Sequence, residues 1–125
     1  MRLPAIVKRA AHAVGAHRIA TRPSDHRVEV RCSGELLAAS DRAVELRETA
    51  ARVRYYLPRE DVRTDLLTPS TTTTHCPFKG DATYFSAPGC PDAFWVYEAP
   101  AEPAALPIAG LLAPSPGRVE VRVHP

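Results

Sequence analysis

The pentapeptide Cys76-Pro77-Phe78-Lys79-Gly80 places a thiol three residues from one of only two lysines in a chain that otherwise uses arginine. Proline at the second position of a four-residue turn fixes φ, so a β-turn here brings the Cα atoms of residues 76 and 79 within about 7 Å. A neighbouring ammonium favours the thiolate, the form in which a cysteine attacks. Cys76 reads equally as a buried structural thiol, because no local Cys-His-Asn pattern accompanies it and His75 points the other way in extended chain. Lys79, set among aromatic segments, can meet an anionic ligand or a carboxylate partner, or can be a turn lysine in solvent.

A second group follows Tyr55 and Tyr56. Arg59 can present its planar fork to a carboxylate or phosphate, and Asp61 can orient it or act as a base. The same residues also serve simple capping, since acids in a first turn complement the helix dipole. All eight aromatic residues lie between 55 and 97. Phe78, Phe85 and Phe94 read as core. Trp95 and Tyr97 stand two apart on a strand and so share one face, each with an apolar body and a polar tip, which suits a pocket wall as well as a core.

The elements that must position these residues are mostly strands. From His26 the apolar period is two, with Val28 and Val30 alternating with charge, and Ser33-Gly34 turns the chain into Glu35 to Ala39. Val44 to Arg47 and Val53 to Leu57 continue the pattern. Pro58, the acids Glu60 and Asp61, and Val62 with Leu66 read as one short helix closed by Pro69. Strands are expected at Ser70 to His75, Ala82 to Ser86 and Phe94 to Tyr97, separated by turns at 76 to 80 and 88 to 91. Leu106 to Leu112 reads as a short apolar turn or helix, and Arg118 to Val123 as the last strand. Seven or eight short strands with one or two short helices predict a mostly β, single-domain barrel- or sandwich-like fold over 26–125.

The sequence Arg-Val-Glu-Val-Arg occurs at 27 to 31 and again at 118 to 122. Pairing these antiparallel with residues 27 and 122 opposite would set Glu29 against Glu120 and each arginine against an arginine, which is unfavourable. A two-residue register shift, or no direct pairing, is expected.

One domain fills 125 residues, and no apolar run approaches the roughly 20 residues of a membrane-spanning helix. Residues 1–25 form a basic extension, of which residues 1–24 hold five cations and no acid, with an amphipathic helical pattern from Leu3 to Val14. Charged residues break this stretch, so it is not read as a signal peptide, and a reducing cytoplasm is the expected compartment. From Asp25 onward the chain carries a net charge of −3, a poor footprint for nucleic acid. Cys32, Cys76 and Cys90 show no CxxC spacing, so no structural zinc, other metal or cofactor is expected, and Cys76–Cys90 is a conceivable disulfide.

Several segments together resemble the bacterial domain of unknown function family 427: Tyr55 to Val62, Thr74 to Gly80, Ala82 to Phe85, Trp95 to Tyr97 and Ile108 to Gly110. The likeness spans about residues 26 to 124. It implies a compact, mostly β domain and a shared pocket at Tyr56, Arg59, Asp61, Thr74, Cys76, Lys79, Tyr84, Trp95 and Tyr97, with no established activity. A nucleotidyltransferase-like label attaches to the family, yet this chain lacks a glycine-rich loop followed by paired metal-binding aspartates. It also departs from the family pattern at Leu111 to Pro114 and at Ala51 to Arg54.

The leading expectation is a small-molecule binder with an aromatic-lined pocket for a polar or anionic metabolite. Lys79 and Arg59 would supply charge, and Tyr56, Thr74, Tyr84, Trp95 and Tyr97 the contacts. Any catalysis would use Lys79 with Asp61 as acid and base before Cys76 as nucleophile. The alternative is a non-catalytic protein-interaction module that docks through its basic N-terminal segment.

Overall fold

The alternating segments assemble into three antiparallel sheets in the computed structural model, which describes residues 17–125. In chain order the strands are β1 (Ile19–Pro23), β2 (Val28–Cys32), β3 (Glu35–Ser40), β4 (Val44–Glu48), β5 (Arg54–Tyr56), β6 (Thr68–Cys76), β7 (Gly80–Ala87), β8 (Cys90–Tyr97), β9 (Ala113–Pro114) and β10 (Glu120–Val123). The sheets run β1-β4-β5, β10-β2-β3 and β6-β7-β8-β9. The mostly β architecture with short helical turns is the expected one. Of its two forms the barrel is excluded, because no sheet closes on itself among the described residues.

Local chemistry explains the hairpins. Ser33 and Gly34 both take positive φ, 49° and 85°, the backbone a two-residue hairpin turn requires. Cys32 and Glu35 then pair directly across it. Pro88-Gly89 joins β7 to β8 in the same number of residues. At the β6–β7 turn Gly80 is required for space as well, since a Cβ there would sit 3.1 Å from the Ala99 carbonyl oxygen.

The repeated pentapeptide pairs with itself, displaced by two residues. Glu120 lies opposite Arg31, and Arg122 opposite Glu29. Each acid therefore faces an arginine, as the repulsion between like residues predicts.

The four-stranded sheet carries a hydrophobic cluster on each face, divided by strand parity. Phe94 and Val96 of β8 join Val28, Val30, Leu37, Leu57 and Leu112 on one side. Tyr97 and Ala82 join Leu46, Tyr56, Ala105, Ile108 and Ala113 on the other, with Trp95 packed against them. Burying each such valine or leucine is worth about 2 kcal/mol.

Several expectations are corrected. Ile19–Pro23, inside the stretch read as a basic extension, forms β1 and pairs with β4 from Ile19↔Glu48 to Pro23↔Val44. Its sequence, Ile-Ala-Thr-Arg-Pro, has no strict apolar alternation, and none of its residues is fully buried. The helical pattern at Leu3 to Val14 lies outside the described residues. The single helix expected over 58–69 is instead two 3-10 turns, Arg59–Asp61 and Thr64–Leu66. Val62 between them is extended and bridges Ala38, so β3 captures the residue that would have continued the helix. The apolar turn expected at 106 to 112 is a 3-10 segment at Pro103–Ile108.

The disulfide joins Cys32 to Cys90, with Cα atoms 6.3 Å apart, and Cys76 is free. Cys32 and Cys90 share the first cluster while Cys76 packs beside the second, so the sheet separates Cys76 from the partner considered for it. Such a bond persists in oxidising surroundings, a condition the expectation of a reducing cytoplasm did not include. No helix among the described residues is long and apolar enough to cross a membrane.

Candidate functional site

Tyr84 on β7 and Trp95 on β8 are cross-strand partners, and Thr74 on β6 pairs with Ala82, two residues from Tyr84. Alternation therefore brings Thr74, Tyr84 and Trp95 onto one face. Thr74 Oγ1 and the Tyr84 hydroxyl lie 3.1 Å apart. Trp95 donates its indole N–H to the hydroxyl of Tyr56 at 3.2 Å, and the two rings meet edge to face. Tyr56 is fully buried, and that burial pushes its phenol up to about 12. Its role is to hold the indole from below.

These three side chains line a groove of about 330 Å³ together with Arg54, Thr72, Asp92 and the Ser115–Arg118 turn. Irregularities in strand pairing shape it. β6 breaks register between Pro69 and Thr73, and β7–β8 between Phe85 and Ala87; such bulges re-aim side chains. Asp92 adopts φ 51°, and its N–H bonds to Ser86 Oγ at 2.9 Å. Thr72 donates to the Asp92 carboxylate at 2.8 Å, and hydrogen bonds from Ser70 and then Thr72 hold that carboxyl below its ordinary range.

The cations of the groove make no close ion pair, although Arg118 lies near enough to Asp92 to lower its carboxyl further. Arg54 stacks its guanidinium 5.9 Å from the centre of the Trp95 ring. Among the described residues neither it nor Arg118 makes an ion pair. Ser115 is 7% exposed, and its hydroxyl has no hydrogen-bond partner among the described residues. A buried hydroxyl without a partner costs roughly 1–3 kcal/mol, so a site that supplies a partner recovers that energy.

Lys79 lies elsewhere. Its ammonium turns to Glu48 at the end of β4 rather than to Cys76, and both side chains are almost buried. His17 Nε2 stands 2.9 Å from the other Glu48 oxygen and stacks on Phe78. Burial raises the Glu48 carboxyl, but the hydrogen bonds from Lys79 and His17 outweigh it and hold the group below its ordinary value. Tyr97 lies beneath, its ring centre 5.9 Å from Lys79 Nζ, with its phenol raised chiefly by burial. Cys76 sits opposite Gly80 at the base of the same turn.

Arg59 and Asp61 are placed apart from both. Arg59 donates to the Gly110 carbonyl at 2.9 Å and to Glu98 at 3.0 Å, and lies 5.7 Å from the Phe85 ring centre. Asp61 accepts from Ser40 Oγ at 2.7 Å and Arg42 at 2.9 Å, and these bonds lower its pKa, Arg42 foremost. It borders a groove of about 370 Å³ with Leu36, Ala38 and Val62, where the carboxylate is already occupied. Lys79 and Asp61, expected as acid and base, thus have separate partners.

Of the nine expected residues the structure brings together Thr74, Tyr84 and Trp95, with Tyr56 as support. Arg54, Thr72, Asp92, Ser115 and Arg118 complete the groove and carry no sequence signal of it; Arg54 and Arg118 read simply as outward positions of strands. Among the described residues no group of three or more His, Cys, Asp or Glu could hold a metal ion. No curated protein matches the chain. The family model described as Domain of unknown function (DUF427) matches residues 20–124, nearly the whole described chain and every residue of the groove, and the protein belongs to that family.

Proposed function

We propose that this protein binds a small organic anion in the groove between β6, β7, β8 and the Ser115–Arg118 turn. The observation that carries the reading is the combination of two arginines that make no close ion pair, with the single carboxylate of Asp92 beside them, and a buried Ser115 hydroxyl that lacks a partner. Guanidinium groups match carboxylate and phosphate oxygens through parallel N–H bonds. Thr74, Tyr84 and Ser115 supply hydroxyls to the same ligand, and Trp95 supplies a flat apolar wall. The positive charge comes from Arg54 and Arg118, because Lys79 and Arg59 are committed to Glu48 and Glu98.

Trp95 is the only tryptophan, so intrinsic fluorescence reports on the groove directly. Titration with acetate and with inorganic phosphate is expected to give a saturable change for at least one of them. Arg118→Gln should weaken that binding about tenfold or more with an unchanged far-UV circular dichroism spectrum, while Arg59→Gln leaves the affinity as it is. Equal affinity in Arg118→Gln, or no saturable response, rejects the site.

A further inference from the structure

Beside the polar groove runs a second one of about 220 Å³, lined by Val53, Tyr55, Pro114, Pro116, Val121 and Val123. Arg54 and Pro116 border both grooves, so they are neighbours across one ridge. The lining of the second groove is apolar except for Arg54 on the ridge and Arg52 at the exposed rim. Val123 is left 36% exposed on the edge strand β10.

From this juxtaposition we infer that the bound anion is an amphipathic monocarboxylate, with its carboxylate between Arg54, Arg118 and Ser115 and a small apolar body laid over Pro116 into the second groove. The inference rests on the proposed anion site. The charge balance selects the head group: two guanidinium cations face one carboxylate, Asp92, which its hydroxyl donors keep ionised. A single negative charge neutralises the remainder. A dianion or a polyphosphate would place surplus negative charge next to Asp92, and like charges repel most strongly at such short range. The second groove selects the body. Its volume is below the roughly 300–1,000 Å³ of pockets that hold drug-sized ligands, so it accepts a handful of carbons rather than a long chain or a nucleoside.

The polar groove alone would serve acetate as well as any longer acid. If the apolar groove takes part, each buried methylene multiplies affinity by about four. Titration of Trp95 fluorescence with acetate, hexanoate, adipate and inorganic phosphate separates the possibilities. Hexanoate is expected to bind at least about tenfold more tightly than acetate, allowing for partial burial of its four extra methylenes, and more tightly than adipate or phosphate. Val123→Asp should remove most of that advantage and leave the acetate affinity unchanged. The chain-length series in the unaltered protein stands whether or not the variant folds.

Equal affinities for acetate and hexanoate overturn the inference and leave the anion site standing. Tighter binding of adipate or phosphate than of hexanoate overturns it by the charge class, again with the site intact. No saturable response to any of the four removes both the inference and the site on which it rests.

Discussion

Trp95 and Tyr97 are neighbours on one face of β8, yet the charges around them are organised in opposite ways. At the Tyr97 end, Lys79 and His17 both meet Glu48, so cation and carboxylate satisfy each other in a nearly buried cluster. At the Trp95 end, Arg54 and Arg118 border a groove without a close ion pair, two cations against the one carboxylate of Asp92, and Ser115 keeps an unused hydroxyl. The first arrangement holds structure together; the second is prepared to receive a ligand. A residue type able to do chemistry is therefore a poor guide by itself, and its unspent interactions are a better one.

The disulfide gives the largest expected effect and tests whether the Trp95 end is preorganised. Closing a loop across 58 residues stabilises by about 4 kcal/mol in the chain-entropy model. The double variant Cys32→Ala/Cys90→Ala should lose about that much in denaturant unfolding. Cys90 precedes Asp92 by two residues, so anion affinity should fall as well; unchanged affinity would show that the groove holds its shape without the bond.

Lys79→Ala comes next. Removing one member of a nearly buried ion pair leaves the other charge without its main partner, and a loss of about 2–4 kcal/mol is expected. Anion affinity measured on the folded protein should not change. A large drop in affinity with full stability would break the comparison and return Lys79 to the binding site.

The pH dependence of stability sharpens the same point. The Glu48 carboxyl is lowered in the folded protein, so its contribution is complete above the unfolded value near 4.5 and is lost as pH falls through the depressed native value. Glu48→Gln should flatten that acid limb. An acid limb identical to that of the unaltered protein would mean that Glu48 is not held by Lys79 and His17 in solution.

Arg118→Gln is expected to show the converse behaviour. Its guanidinium is exposed and unpaired, so unfolding free energy should stay within about 0.5 kcal/mol. The tenfold loss of anion affinity corresponds to about 1.4 kcal/mol. A destabilisation larger than the affinity change would mean that Arg118 supports the fold. The smallest effect belongs to Tyr84→Phe, which removes an exposed hydroxyl contact with Thr74 and should cost about 0.5 kcal/mol of stability. It should weaken anion binding less than Arg118→Gln does.

Much of the fold is legible where the chain acts locally. Ser33-Gly34 and Pro88-Gly89 mark hairpin turns by their allowed dihedral angles, and the offset of the two Arg-Val-Glu-Val-Arg strands follows from repulsion between like side chains. β1 escapes notice because Ile19–Pro23 has no alternating pattern and acquires its order from pairing with β4. In the groove, Trp95 is reached by strand parity and Thr74 and Tyr84 by their place in the family motif. Arg54 and Arg118 are not, since each looks like any outward arginine until its neighbours are known.

The sequence by itself thus determines periodicity, turns and the face on which a side chain emerges, because covalent geometry and short-range sterics set these within a few residues. Only the tertiary structure decides that Lys79 meets Glu48, that Cys32 rather than Cys76 reaches Cys90, and that two distant arginines converge beside Trp95. Those pairings depend on how three sheets pack, and packing energy is spread over many residues that no local segment contains.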